Sequence, residues 1–373
     1  MRWPRRSSCG TTWNVSRLRN RRRSRAGRFA LLITLVAVLA AGVWLWSALW
    51  MPYQGFPASG VFVEIPRGMS TGAIARRLDG SGVVRSGLAF RLLCRWRGRQ
   101  TLQAGEYFFD QPLRAVDVWQ KLAEGRIFYH TVVVPEGRTM FEIAEMMEKA
   151  GLVSYEEFLR AASDTAPIRD LAPRVRSLEG FLFPATYLFP RRVTASRVVG
   201  VMVSRFRQVW ASLPETSKQW QRLSVEQVVT LASLVEKETG APEERPLVAA
   251  VFQNRLRRRM ALQCDPTVIY ALELAGKYNG SLSSKDLRFN SPYNTYRRPG
   301  LPPGPISNPG EASLRAALAP PKEDYLYFVS NTQGGHFFSR TLAEHNRNVT
   351  RYRRLLAQNG KSDSAAAAQR NRR

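Results

Sequence analysis

The sequence predicts an α+β protein that begins with one apolar helix. Three observations predict it. The 22 residues from Phe29 to Trp50 carry no charge. A strand, a Pro-Gly turn and an amphipathic helix then occur twice, 69 residues apart. From about residue 178 the pattern changes to long apolar helices, short aromatic strands and a proline-rich loop.

Each element has a local reason. Phe29–Trp50 is long enough, at about 1.5 Å per residue, to cross a hydrocarbon layer of about 30 Å. Trp44, Trp46 and Trp50 gather at its C-terminal end, where an aromatic belt belongs. Residues 1–28 hold ten arginines and no acid. This bias predicts a cytoplasmic tail, a single-pass anchor and a chain that is otherwise outside the inner membrane. The run is longer than a signal-peptide core of about 7–15 residues, so an uncleaved anchor is expected.

The repeat follows, within an expected region 52–165. Val63–Val84 and Val132–Val153 share seven identical positions of 22. The Pro-x-Gly corners coincide, Pro66 with Gly68 and Pro135 with Gly137. Ser70 and Thr139 are placed to cap the two helices. Ile74, Ala75 and Leu78 form the apolar stripe of the first helix; Ile143, Ala144 and Met147 form that of the second. So small a unit buries little alone, so the copies are expected to pack with strands such as Gly105–Phe109 and Ile127–Val134. The pattern resembles LysM-like modules, which bind cell-wall glycans; a spacer would read the same way.

The third region, expected over 178–356, carries the chemistry. Ser224 and Gln227 make a capping box for a helix ending at Gly240. Val225, Val228, Val229, Leu231, Ala232, Leu234 and Val235 make that helix apolar on almost every side. Glu236 and Glu238 close it. A carboxyl on such a face is poorly solvated, which favours its protonated form and suits a proton donor. Periodicity does not choose between the two. Asp265 and Pro266 are placed to start the next helix. Phe289–Gly310 holds six prolines among Tyr293, Asn294, Tyr296, Ser307 and Asn308, and reads as a stiff binding loop. Asn308 and Pro309 would open a further helix. Tyr325–Ser330 and His336–Ser339 predict a hairpin. Residues 357–373 read as a disordered tail.

Composition narrows the function. The chain has 373 residues, 56 Lys plus Arg against 29 Asp plus Glu, for a net charge of +27. That points to an anionic partner: nucleic acid, acidic lipid or a carboxylate-bearing polymer. No nucleic-acid motif accompanies the arginines, so nucleic acid is not expected. Cys9, Cys94 and Cys264 form no CxxC pair, and the histidines, His130, His336 and His345, form no HExxH. No metal and no cofactor are expected.

Several segments in one order, LEGFLFPATY, LASLVEKET, VFQNRL, LQCDPTVIY, SPYNTY, GLPPGPISNPG and YLYFV…GGHFFS…HN, span Leu178 to Asn348. They closely resemble the YceG-like endolytic murein transglycosylases. That resemblance implies a membrane-anchored lyase acting on peptidoglycan. It implies Glu236, the first glutamate of VEKET, as catalytic acid. Its candidates for holding the glycan are Gln263, Asp265, Tyr293, Asn294, Tyr296 and Ser307, with Glu179 as a possible assisting acid. The acid would protonate the oxygen between N-acetylmuramic acid and N-acetylglucosamine. The muramic 6-hydroxyl would then attack C1 and close a 1,6-anhydro ring. The family also implies the termination of nascent strands and contacts with peptidoglycan synthases or divisome proteins. Two departures stand out: Ala185 where the family has an acid, and Cys264 where a hydroxyl residue is common. A non-catalytic peptidoglycan-binding anchor is the alternative.

Overall fold

The computed structural model describes residues 16–98, 100–214 and 223–370. They form two compact units that meet in sequence between Phe128 and Tyr129. The first opens with α1 (Ser16–Trp50), whose stretch Arg28–Trp50 is long and apolar enough to cross a membrane. β1 (Val61–Ile65), α2 (Thr71–Gly80), α3 (Gly87–Trp96), β2 (Gly105–Phe109) and α4 (Ala115–Ala123) follow. β1 and β2 pair antiparallel with Val63 opposite Tyr107. The two-residue period turns Val63, Ile65, Tyr107 and Phe109 onto Leu78, Phe90, Leu93 and Leu122. Ser70 caps α2 by accepting from the Ala73 N–H, as expected.

The second unit contains β3 (His130–Val133), α5 (Met140–Lys149), α6 (Tyr155–Ser163), β4 (Thr186–Phe189), α7 (Ala195–Ser212) and α8 (Val225–Glu238). α9 (Arg245–Arg257), α10 (Asp265–Leu274), α11 (Glu311–Leu318), β5 (Tyr327–Ser330), β6 (His336–Ser339) and α12 (Leu342–Arg370) complete it. Its core gathers Ile143 and Met147 of α5, Phe206 of α7, Val228 and Leu231 of α8, and Phe252 of α9. Full capping boxes start α5, from Thr139 and Glu142, and α8, from Ser224 and Gln227. β5 and β6 form the expected hairpin.

Four expectations need correction. The two repeat copies do not share a core. β1 of the first pairs with β2, whereas β3 of the second pairs with β4, Val132 opposite Tyr187. The span 52–165 is therefore divided, and its second copy belongs to the main core. That strand pairing is non-local, and periodicity carries no signal for it. The cap of α10 is Cys264, one residue before Asp265. Gly310, not Asn308, caps α11, because the Asn308 side chain is occupied elsewhere. α12 continues to Arg370 through the part of 357–373 that lies among the described residues. Ala365–Ala368 lie on that stretch, and alanine is the strongest helix former.

Candidate active site

α8 presents its two final glutamates to different surroundings, because residues two apart on a helix point about 200° apart. Glu236 turns toward the second repeat copy. Its Oε1 lies 2.9 Å from Arg245 of α9, and its Oε2 accepts from the Gly310 N–H at 2.9 Å. Only 5% of its side chain is exposed. The same guanidinium reaches Glu136 at 3.1 Å, in the Pro-x-Gly corner of the second copy. Gly137 has a φ of +75°, and a Cβ there would lie 3.4 Å from the Glu236 Cγ. Lys237 donates to the Gly137 carbonyl. The cluster is thus a joint between α8, α9, α11 and the turn before α5.

Glu238 turns toward a cavity of about 310 Å³. Its lining includes Glu238, Gln263, Asp265, Tyr296, Arg255 and His345, with Phe252 and Phe328 as apolar wall. Burial pushes the Glu238 pKa up, and the charge of Asp265 adds to that. A hydrogen bond from the Cys264 thiol and the charges of His336 and Arg255 oppose it. Tyr296 donates its hydroxyl to Asp265. Gln263 sits at a φ of +53°, a left-handed conformation that side chains rarely adopt. The backbone there is pinned from two sides. Gln263 N–H donates to the Thr295 carbonyl at 3.2 Å, and Cys264 N–H to the Thr295 hydroxyl at 3.0 Å. Arg255 is buried and donates to the carbonyls of Leu326 and Leu262, tying the hairpin to the 261–263 segment. Burial lowers the His345 pKa, and its ring stacks on Tyr327 at 5.1 Å.

The six residues offered for glycan contact therefore separate. Gln263, Asp265 and Tyr296 line the cavity with Glu238. Tyr293, Asn294 and Ser307 do not line it. Tyr293 packs on Tyr270 with ring centroids 5.2 Å apart. Asn294 is fully buried and donates to the Leu287 and Phe289 carbonyls. Ser307 donates to the Ser233 carbonyl. Glu179 is 2% exposed and sits inside the core. It accepts from the Met140 N–H, the Tyr270 hydroxyl and the Asn308 amide. Burial pushes its pKa up to about 8, against the pull of those donors. Asn308 in turn accepts from the Leu182 N–H, so Glu179 and Asn308 fix the corner that leads to Gly310. The sequence reading missed Arg255, Phe328 and His345. The motifs VFQNRL and YLYFV…HN contain them, but nothing in the pattern turns them toward Glu238.

The arrangement is a carboxyl with a raised pKa, at the wall of a polar cavity with aromatic and amide lining. The YceG-like family matches residues 63–351, and the chain belongs to that family. An endolytic murein transglycosylase of Bacillus subtilis (strain 168) is 34% identical over 332 residues, covering 84% of this chain and 91% of the relative. One of Streptococcus pneumoniae serotype 2 (strain D39) is 32% identical over 324 residues, 78% of this chain and 58% of the relative. A 2.6 Å crystal structure of a YceG-like protein from Listeria monocytogenes aligns with a TM-score of 0.50 and 34% identity, over 77% of this chain and 98% of that one.

Proposed function

We propose that this chain is a membrane-anchored endolytic murein transglycosylase with Glu238, rather than Glu236, as its acid. The observation that carries the choice is the cavity: Glu238 opens onto it beside Gln263, Asp265 and Tyr296. Glu236 is committed to Arg245 and Gly310, where a departing sugar oxygen would have to displace an ion pair. The family resemblance by itself points to Glu236.

In this reading the protonated Glu238 carboxyl gives its proton to the glycosidic oxygen as the bond to C1 of N-acetylmuramic acid breaks. The muramic 6-hydroxyl attacks C1, and its proton passes to the Glu238 carboxylate. The acid is regenerated, an anhydro end forms and no water is consumed. An ordinary glycosidase needs a second carboxylate as nucleophile or base; here the substrate's hydroxyl takes that part. Gln263 and Tyr296 are polar partners for the sugar, and Phe328, half-buried in the cavity wall, supplies an apolar face. Glu179 and Asn308 act through the backbone they hold. The ten arginines before Phe29 fit an N-terminus in the cytoplasm and a chain that lies outside the membrane after Trp50.

The test is mass spectrometry of peptidoglycan incubated with the full chain, beside Glu238→Gln and Glu236→Gln. Anhydro-muramic ends from wild type and Glu236→Gln, but not from Glu238→Gln, are expected. The reverse pattern would return the acid to Glu236. Reducing ends would mean hydrolysis, with Asp265 the second carboxylate to examine. Bound glycan with no new ends would leave a binding anchor.

A further inference from the structure

α1 does not reach the first unit through a free linker. Ala48, near its end, is 3% exposed, and Leu49 packs onto the core formed by Phe90, Leu93 and Leu122. α1 lies against both α3 and α4. The helix that carries the apolar span is thereby fixed to α3. On α3, Ala89, Phe90, Leu93 and Cys94 face inward. Its other side is unusual for a water-facing surface. Leu88, Leu92 and Trp96 are 57%, 45% and 74% exposed. They stand four residues apart, so they form one stripe about 12 Å long. Arg91 and Arg95 fall beside that stripe, and Arg85 and Arg97 stand at its two ends, all four exposed. The Arg97 guanidinium lies 5.6 Å from the Trp96 ring centre. No acidic residue occurs from Val83 to Gly98. Large apolar side chains edged by arginine, with Trp at the boundary, are what a helix lying in a membrane interface presents.

We propose that α3 is an interfacial docking helix. It lays Leu88, Leu92 and Trp96 into the headgroup layer of the bilayer that α1 enters, with Arg85, Arg91, Arg95 and Arg97 on anionic phospholipid. Two features select this occupant. α3 is packed against the helix that ends at the aromatic belt of Trp44, Trp46 and Trp50. Its charge is uniformly positive, the complement of an acidic lipid surface. The proposal rests on the reading of α1 as an anchor and is independent of which glutamate is the acid. Its consequence is that the first unit is held on the bilayer at two points, which restricts rotation of the unit about α1.

The test uses the full chain in nanodiscs of phosphatidylcholine alone or with phosphatidylglycerol. A photoreactive p-benzoylphenylalanine replaces Leu92 in one protein and Leu39, within α1, in another. Lipid adducts are counted by mass spectrometry. Both positions should capture lipid, and capture at 92 should rise several-fold when phosphatidylglycerol is present. Combining Arg91→Glu and Arg95→Glu should remove that rise. Capture at 39 with none at 92 in either bilayer would overturn the docking helix and leave the anchor intact. Capture at neither would overturn the anchor reading and the proposal with it. Equal capture at 92 in both bilayers, unchanged by the charge reversal, would overturn the assignment to anionic lipid.

Discussion

Glu236 and Glu238 share a helix, an apolar approach and a residue type, yet their surroundings differ in kind. Glu236 meets a guanidinium, a backbone N–H and a glycine turn, all donated by neighbouring elements. Glu238 meets a thiol, an acid and an open cavity. In the proposed reading, a carboxyl with its oxygens engaged by an arginine and an amide serves as a structural tie. A carboxyl raised by burial beside open space is available for proton transfer. The difference teaches that burial alone does not distinguish the two carboxyls; what each is left facing does.

The sharpest way to break this comparison is Glu238→Gln. A positioned general acid contributes about 10²–10⁴-fold, so the rate of anhydro-end formation should fall by at least that. The thermal midpoint should stay near wild type. An active Glu238→Gln protein would remove the distinction altogether.

Glu236→Gln should act in the opposite manner. The amide keeps an oxygen for the Gly310 N–H but leaves Arg245, 10% exposed, with only Glu136. Breaking a buried ion pair from one side costs about 3–5 kcal/mol, and the remaining partner argues for about 3. Urea unfolding should show that loss in the midpoint. Activity per folded molecule should change far less than in Glu238→Gln. A stable but inactive Glu236→Gln protein would exchange the two roles.

The repeat copies offer a weaker test of the same principle, that context sets the value of identical local chemistry. Thr139 is 3% exposed, within a reciprocal box, beside the turn that holds Glu136 and Gly137. Ser70 is exposed and makes the single cap bond to Ala73. Thr139→Ala should cost about 2 kcal/mol and Ser70→Ala about 0.5–1. Equal losses would mean that fusion of the second copy into the larger core adds nothing to its cap.

Local features were legible in the sequence, and non-local ones were not. The caps at Ser70, Thr139 and Ser224, the apolar α8 and the final hairpin all follow from spacing within a few residues. The pairing of β3 with β4 spans more than fifty residues of chain and leaves no mark in periodicity. The two glutamates could not be separated because each follows the same apolar helix. What separates them is Arg245 on the next helix and Gly310 at the head of α11. Tyr293, Asn294 and Ser307 carry the aromatic, amide and hydroxyl groups that a glycan site needs, in a stiff proline-rich loop. They hold that loop together, which is equally what aromatic, amide and hydroxyl groups do when buried.

The smallest expected effect sharpens the assignment most selectively. Cys264 is 1% exposed, and its thiol pulls the Glu238 pKa down against the effect of burial. A thiol is a weak donor. A hydroxyl there would stabilise the ionised carboxyl more strongly and so lower its pKa. The acid must be protonated to act, so activity is lost as pH rises through that pKa. Cys264→Ser should therefore move the alkaline limb of the rate profile to lower pH. The plateau rate on the acid side should be preserved. Because the thiol acts on the Glu238 carboxyl, the limb should move only if Glu238 is the group that titrates in the reaction. An unmoved limb in a folded Cys264→Ser protein would count against Glu238 as the acid.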